Sequence, residues 1–270
     1  MNNNYVSSIR ASDGSIIRFE CHDALHSTSK LAKAYAKIGY PDRYVVFAER
    51  LIDVNSEGEA KDISQKGIYM SCILRPSIFP SQASHLRALC AAATASALAE
   101  HTKSKIGIGW ISTIYCESHA IGEISIEGKL TTNQSFEYVI INFSIALSDH
   151  DFPQRVTSLI KKVFGNDNSS IPMIMAKDIL NKFASLYSNI KNSQKYMDIY
   201  RQRFALRGVK SKYLSDEKKH SCKIIDVDTE SCALIIEDEK RNTKEIYAPS
   251  HITIPKNLTT KKRRIKITKQ

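Results

Sequence analysis

The stretch KIGIGWISTIYCESHAIGEISIEGKL, residues 105–130, decides the fold of this chain. Apolar residues alternate from Ile106 to Trp110 and recur over 121–126, a pattern that predicts two short strands. The polar residues 117–119 between them predict a turn. We therefore expect a hairpin here, inside a chain whose other segments alternate between strand and helix.

The segments on both sides of this hairpin predict an α/β (α+β) domain over residues 1–205. Ser27 or Thr28 is suited to cap the first helix, and Gly39 is suited to end it. Strands are predicted at 16–21, 44–49, 68–76 and 136–147, and helices at 27–39, 80–101, 153–164 and 172–203. This order favours a mixed sheet flanked by helices.

The segment 206–255 predicts a second, small β domain. Its apolar runs are short and follow one another closely, and hairpin-type turns such as 226–229 and 239–242 separate them. Such spacing is typical of a small barrel. No low-complexity linker precedes the segment, so we expect the barrel to pack directly on the first domain.

The net charge of +11 is concentrated at the C-terminus. Residues 256–270 contain seven Lys/Arg and no acidic residue, so this segment supplies most of the positive charge. Its composition predicts a disordered basic tail. A basic tail can bind nucleic acid through phosphate attraction. Because no aromatic or helical readout element accompanies it, such binding stays a minor alternative.

Cysteine, histidine and hydropathy patterns predict a cytoplasmic protein without a metal site. The six cysteines form no CxxC pair, and no histidine is spaced from them as a zinc ligand would be. The start of the chain is polar and lacks the apolar core of a signal peptide. The most apolar helical run, 86–99, contains Arg87 and is too short to span a bilayer, so no membrane association is expected.

The landmarks within 105–130 resemble those of the biotin–protein ligases. In that family one strand carries Lys-Trp-Pro-Asn-Asp, and the returning strand carries Lys-Leu-Ala-Gly-Ile-Leu. The same places here read Gly-Trp-Ile-Ser-Thr at 109–113 and His-Ala-Ile-Gly-Glu-Ile at 119–124. Trp110 and Gly122 keep their positions, whereas Gly109 and His119 occupy the positions of the two lysines.

The resemblance extends from about Ile16 to Ile254 and implies a class II synthetase-like biotin/lipoate ligase fold followed by an SH3-like barrel. The family's Ser-Thr-Asn at the first helix appears as Ser-Thr-Ser at 27–29. Its Gly-x-x-Tyr-x-Ser segment appears one residue shorter at 67–71. The ligand-pocket candidates that the resemblance implies are Ser27, Thr28, Ser29, Gly67, Tyr69, Trp110 and Gly122.

The residues that support adenylation in this family are replaced by other residues in this chain. Ligases of this family use ATP, with magnesium, to form biotinyl-adenylate and pass biotin to a lysine of a carrier domain. Donors that stabilise the charge of such a transition state are each worth ~10²–10³ in rate. The family's arginine-rich loop is acidic here, with five acids and two bases over 49–62, and its glycine-rich strand reads Asn-Phe-Ser-Ile-Ala-Leu-Ser at 142–148. No catalytic residue of the family is intact.

Three hypotheses remain open from the sequence. The chain is an active ligase that uses Arg50, Lys61, Lys66 or His119 as substitutes, a catalytically inactive ligase-fold binding or regulatory protein, or an interaction protein using the barrel or the tail. The acyl ligand would be biotin, lipoate or another acid, and a biotin carrier domain and a homodimer are the partners considered. Trp110 also fits a purely structural role in the core, and Gly122 fits close packing.

Overall fold

The computed structural model describes residues 5–54, 60–62, 67–147, 171–255 and 258. Residues 55–59, which form most of the acidic loop, lie outside this description. So do the side chains of Lys61 and Lys66, the predicted helix at 153–164, and the rest of the basic tail beyond residue 255.

A mixed sheet organises the first domain. Within the described residues it has nine strands, in the order β1-β2-β3-β5-β9-β8-β7-β6, with β4 paired to β3. Only β2 and β3 run parallel; the other neighbours are antiparallel. The strands are β1 (Tyr5–Arg10), β2 (Ile16–Leu25), β3 (Tyr44–Val54), β4 (Ala60–Asp62), β5 (Gly67–Leu74), β6 (Ile106–Ile108), β7 (Thr113–Cys116), β8 (His119–Leu130) and β9 (Phe136–Ala146).

Helices cover both faces of the sheet, and the larger core lies on one of them. The helices are α1 (Thr28–Lys37), α2 (Ala83–Glu100), α3 (Ile171–Tyr187) and α4 (Ser193–Gln202). The alanine-rich α2 contacts α3, α4 and the β6–β8 region, because its small side chains allow close approach. The opposite face, covered by α1, holds a smaller core that includes Val46, Ile73 and Ile140.

Local capping explains why α1 begins and ends where it does. Ser27 accepts a hydrogen bond from the Lys30 amide (3.2 Å) and Gly39 adopts φ +91°, as predicted for the cap and the stop. The Arg75 guanidinium then donates to the carbonyls of Ala36 (3.0 Å) and Tyr40 (3.0 Å). A cation at a helix C-terminus is favourable, so Arg75 fixes α1 to the end of β5.

The prediction of a two-stranded hairpin at 105–130 is wrong in the number of strands, because the stretch forms three. The chain reverses between β6 and β7, and Trp110 lies in this reversal rather than on a strand. The reversal is closed by a hydrogen bond from the Gly109 amide to the Thr113 carbonyl (2.7 Å). The predicted turn at 117–119 is confirmed between β7 and β8, with Glu117 at φ 56°.

The helix predicted over 172–203 is also wrong, because it is two helices. α3 ends at Tyr187, and α4 begins at Ser193 after a turn in which four backbone amides donate hydrogen bonds. Asn189 and Asn192 lie in this turn, where asparagine competes with helical bonding. The second helix is thereby free to pack beside α2.

A small antiparallel sheet follows the first domain and packs on it. Its strands, in the order β10-β11-β12-β13, are β10 (Lys210–Ser215), β11 (Lys218–Val227), β12 (Leu234–Asp238) and β13 (Thr243–Ile246). Arg201 and Arg207 both donate to the Asp226 carboxylate, at 2.7 and 2.8 Å. Burial raises the pKa of Asp226, but these hydrogen bonds outweigh it and hold the pKa below its usual range. The domain limits and the SH3-like barrel stay predictions.

No helix in the described ranges has both the length and the hydrophobicity that crossing a bilayer requires. All six cysteines are buried and unpaired.

Candidate functional site

The α1 face of the sheet carries a row of polar side chains across three adjacent strands. Ser71 of β5 is the register partner of Asn142 of β9, which is in turn the partner of Ser125 of β8. Because side chains alternate between the faces of a strand, these three share the face that α1 covers. They lie beside the first turn of α1, where the sequence predicted a ligand pocket.

Hydrogen bonds join this row to the start of α1. The Ser71 hydroxyl, fully buried, donates to Asn142 Oδ1 (2.8 Å) and therefore accepts from the Thr28 hydroxyl (2.8 Å). The Asn142 amide nitrogen donates to Ser125 Oγ (3.3 Å) and to Glu127 Oε1 (3.2 Å). Both ends of the Asn142 side chain are thus engaged, which fixes its orientation.

Glu127 closes the network at its exposed end. It accepts hydrogen bonds from Ser29 (3.2 Å) and from Lys33, one turn further along α1. The hydrogen bond from Lys33 holds the pKa of Glu127 below its usual range, although partial burial opposes this. We call these seven residues the α1 network: Thr28, Ser29, Lys33, Ser71, Ser125, Asn142 and Glu127.

A pH-dependent stability difference is expected from Glu127→Gln. The folded-state pKa is lowered, so the carboxylate stabilises the fold above its unfolded pKa and loses that contribution as the pH falls through the folded pKa. Because the side chain is 47% exposed, the contribution is at most ~1 kcal/mol. Urea unfolding of both proteins at about pH 7 and about pH 2.5 measures it. A difference that persisted at the lower pH would contradict the ion-pair explanation.

The sequence-predicted candidates divide into two groups. Thr28 and Ser29 belong to the α1 network, and Ser27 caps the same helix. Gly67 and Tyr69 lie on β5, on the α1 face with Ser71. Whether any of them contacts a ligand stays a prediction.

Two of the predicted glycines are required by strand packing. A Cβ atom at Gly122 would lie 2.6 Å from the Ser144 carbonyl oxygen, and one at Gly67 would collide with the Ile145 carbonyl oxygen. Both glycines therefore permit close approach to β9. This explains them without a ligand.

Trp110 lies apart from the α1 network. Its side chain is 3% exposed, belongs to the large core on the other face of the sheet, and donates from Nε1 to the Cys232 carbonyl (2.8 Å) of the C-terminal segment. The Tyr200 hydroxyl donates to the backbone on both sides of Trp110. It lies 2.9 Å from the Gly109 carbonyl oxygen and 3.0 Å from the Ile111 carbonyl oxygen. Trp110 joins the two parts of the chain.

The Gly109 position, where the resemblance implies a lysine, is closed by an aromatic ring. A Cβ atom there would lie 2.7 Å from Tyr115 Cε2 and 3.2 Å from Thr113 Cβ. Tyr115 is fully buried, and its hydroxyl donates to the Pro255 carbonyl (2.7 Å). The ring is thus anchored at both ends, so any side chain at position 109 would require this buried ring to shift.

His119, at the other lysine position, is the first residue of β8 and is half-buried. Its Nδ1 lies 3.2 Å from Ser118 Oγ. None of the described hydrogen bonds connects His119 to the α1 network.

A second polar cluster lies on the α1 face, centred on Glu20 of β2. The carboxylate accepts from the hydroxyls of Tyr44 (2.7 Å) and Tyr35 (3.1 Å) and contacts His22 Nε2 (2.8 Å). Burial and the hydrogen bond to Glu20 raise the pKa of Tyr35 to about 12. The rings of Tyr35, Tyr40 and Tyr44 pack on one another and leave no open cage, so this cluster is structural.

Several members of the α1 network are not among the candidates predicted from the sequence. Ser125 and Glu127 interrupt the isoleucines of β8 at alternate positions, which indicates a polar face but not a partner. Lys33 lies 94 residues from Glu127 in the sequence. Among the described residues, no group of three or more His, Cys, Asp or Glu side chains is placed to hold a metal ion.

Comparisons of the sequence with protein-family models and with curated proteins give no match. Solved structures match over most of the chain. The biotin protein ligase from Aquifex aeolicus, solved in complex with biotin and ATP, has a TM-score of 0.62 at 17% identity, covering 87% of this chain and 97% of that one.

Two further structures agree. A biotin protein ligase-like protein of unknown function from a Silicibacter species has a TM-score of 0.57 at 13% identity, covering 80% of this chain and 88% of that one. The biotin acetyl coenzyme A carboxylase synthetase from Helicobacter pylori, with bound biotinylated ATP, has a TM-score of 0.54 at 12% identity, covering 84% and 99%. The predicted fold is thereby confirmed.

Proposed function

We propose that this chain, which has the biotin protein ligase fold, is a catalytically inactive binding or regulatory protein that does not form an acyl-adenylate. The observation that carries the proposal is the Gly109 position, where even a Cβ atom would lie 2.7 Å from the buried ring of Tyr115. An active ligase that uses substitute residues is the alternative.

Adenylation needs positive charge around the phosphates of ATP. Losing one such donor costs ~10²–10³ in rate, and losses within one catalytic unit do not simply add. Gly109 carries no charge, and His119 is directed to Ser118 rather than to the α1 network. The residues described at these positions therefore do not fit the phosphates of ATP.

The α1 network supports a binding role. Asn142 and Ser144 stand where the family resemblance implies small glycines, and the Asn142 amide is held by Ser71, Ser125 and Glu127. These side chains offer hydrogen-bond donors and acceptors where the family resemblance implies a flat backbone surface. This chemistry suits a small polar ligand better than a mixed acyl-phosphate.

The test is incubation of the full chain with ATP, magnesium, biotin and a biotin carrier domain, with the Aquifex aeolicus ligase assayed in parallel. We expect biotin transfer and pyrophosphate release at least ~10³-fold below that ligase. A rate within ~10-fold of it would overturn the proposal. A residual rate that falls in His119→Ala would favour the active alternative, with His119 as a substitute. The same assay with lipoate covers the other acyl ligand.

Calorimetry distinguishes a protein that binds a small acid from one that acts only through contacts with other macromolecules. Heat of binding with biotin or lipoate in the absence of ATP supports a retained acid pocket at the α1 network. The cytoplasmic location, a carrier-domain partner and a homodimer stay proposals; exposed Tyr5 and Val6 on the edge strand β1 are consistent with the last of these.

A further inference from the structure

The strand β1 forms an open edge of the large sheet. It pairs with β2 on one side, and within the described residues no strand pairs with its other side. The opposite end of the sheet is covered, because Ile108 of β6 exchanges backbone hydrogen bonds with Arg203 (2.9 Å) and Ala205 (2.8 Å). An uncovered edge presents free backbone donors and acceptors to another strand.

The turn that joins β1 to β2 shows which backbone groups face outward. The Ala11 amide donates to the Ser15 carbonyl (2.8 Å), so the backbone groups of Ala11 point toward β2. Because these groups alternate in direction along an antiparallel strand, those of the odd-numbered residues of β1 also point toward β2. The residues whose N–H and C=O groups face outward are Val6, Ser8 and Arg10. No hydrogen bond among the described residues engages these outward groups.

The side chains of β1 do not protect this edge. Soluble proteins commonly protect an exposed edge strand with charged side chains or proline. Arg10, at the end of β1, is its only charged residue, whereas the side chains of Tyr5 and Val6 are 51% and 64% exposed. A partner strand would cover both of them.

A second stretch of open edge, on β8, is protected by charge. Neighbouring backbone pairs with β8 only as far as Ile124, so the rest of the strand has no described strand on that side. That stretch carries Glu127 and Lys129, and each forms an ion pair within the chain. Among the described edges, β1 is therefore the one suited to pairing.

We propose that β1 pairs antiparallel with β1 of a second copy of this chain, about a two-fold axis at Ser7, so that the two large sheets become one. A hydrogen-bonded pair across this edge needs an outward-facing residue from each copy, which restricts the register. In the register centred on Ser7, Val6 exchanges a pair of hydrogen bonds with the partner's Ser8, on each side of the axis. Two-fold pairing uses both edges and closes the assembly.

Apolar side chains favour the register centred on Ser7. Tyr5 then lies opposite the partner's Ile9 in a non-hydrogen-bonded pair, where side chains approach most closely. Both lie on the face of the sheet that carries the large core, because Tyr5 pairs with Cys21 and Ile9 with Ile17. Pairs of an aromatic with a β-branched side chain stabilise antiparallel strands, and the two-fold axis forms this pair twice.

Charge placement favours the same register. The two Arg10 side chains would lie about 20 Å apart along the paired strands, which is beyond the range of strong repulsion at physiological salt. In the alternative register centred on Ser8, they would be about 14 Å apart. That register would also place the apolar Val6 opposite the partner's Arg10.

Single cysteine substitutions in the full chain distinguish the registers. Ser7→Cys places two Cα atoms about 4.5 Å apart across the axis, within the range of a disulfide. Ser8→Cys is the matched control, because its Cα atoms would be about 8 Å apart, which is too far. Under mild oxidation we expect Ser7→Cys to form a covalent dimer at least ~10-fold faster than Ser8→Cys. The six native cysteines are buried, so the wild type should not crosslink.

Ser8→Pro tests the edge with little effect on the fold. The Ser8 N–H faces outward, so proline removes no hydrogen bond to β2 but removes a donor to the partner strand. Sedimentation equilibrium should give a wild-type Kd of ~10⁻⁵–10⁻⁴ M, as suits a small interface, and a Kd at least ~10-fold higher for the variant. Thermal unfolding of the dilute proteins should agree. If Ser8→Pro does not fold, Tyr5→Ser, which removes the exposed ring, is measured in its place.

Three results would overturn the proposal. The first is a wild-type chain that sediments as a monomer at ~10⁻³ M. The second is a folded Ser8→Pro or Tyr5→Ser variant that dimerises as tightly as the wild type. The third is Ser8→Cys crosslinking as fast as Ser7→Cys. None of these measurements involves ATP or biotin, so their outcome is independent of the proposed function.

Discussion

Replacing Trp110 by alanine is expected to lower the free energy of unfolding by about 3–5 kcal/mol. The side chain is 3% exposed, fills part of the large core, and forms a 2.8 Å hydrogen bond to the Cys232 carbonyl. The substitution leaves a cavity and an unpaired buried carbonyl at the junction with the C-terminal segment. Urea unfolding followed by circular dichroism measures the loss.

The Trp110→Phe variant separates the two contributions. It keeps most of the ring volume and removes the indole donor, so we expect a loss of about 1–3 kcal/mol. The Cys232 carbonyl then loses the indole donor, while the Cys232 amide keeps its hydrogen bond to the Asp228 carbonyl. If Trp110→Ala cost less than ~1 kcal/mol while abolishing biotin or lipoate binding, Trp110 would be a ligand wall, as the family resemblance implies, and not a junction residue.

Restoring the family lysine with Gly109→Lys is expected to lower the free energy of unfolding by about 1–3 kcal/mol without producing adenylation. Any side chain at this position begins with a Cβ atom 2.7 Å from the Tyr115 ring, whose hydroxyl is anchored to Pro255. Because that ring is buried and its hydroxyl is hydrogen-bonded, moving it would disturb the surrounding core. Chemical unfolding and the biotin-transfer assay measure the two expected results.

A double-mutant cycle that combines Gly109→Lys with Tyr115→Ala is the control for this prediction. Removing the ring creates the space that the introduced lysine side chain would need, so the two changes should be coupled by about 0.5–3 kcal/mol. Additive effects would show that the ring is not the obstacle. A stable single variant with biotin-transfer activity would contradict both the steric argument and the proposed function.

The candidate site combines residues that the sequence indicates with residues that only the fold brings together. The resemblance indicated Thr28 and Ser29, and the structure brings both into a network with Ser71 and Asn142. The Lys33–Glu127 pair was not foreseeable, because its two residues are ordinary surface charges in sequence and meet only across the helix–sheet contact. Trp110 was grouped with these residues by family order alone, and tertiary packing separates it from them.

The sequence by itself determined the identity of most elements and the fold. Alternation and capping are local signals, so β2, β3, β5, β9 and α1 were predictable from neighbours in the chain, and the order of Trp110 and Gly122 indicated the ligase fold. The tertiary structure alone decided how these elements meet. The reversal at Gly109 depends on contacts with two tyrosines outside it. Tyr115 lies on the next strand, β7, and Tyr200 lies on α4, far away in the sequence.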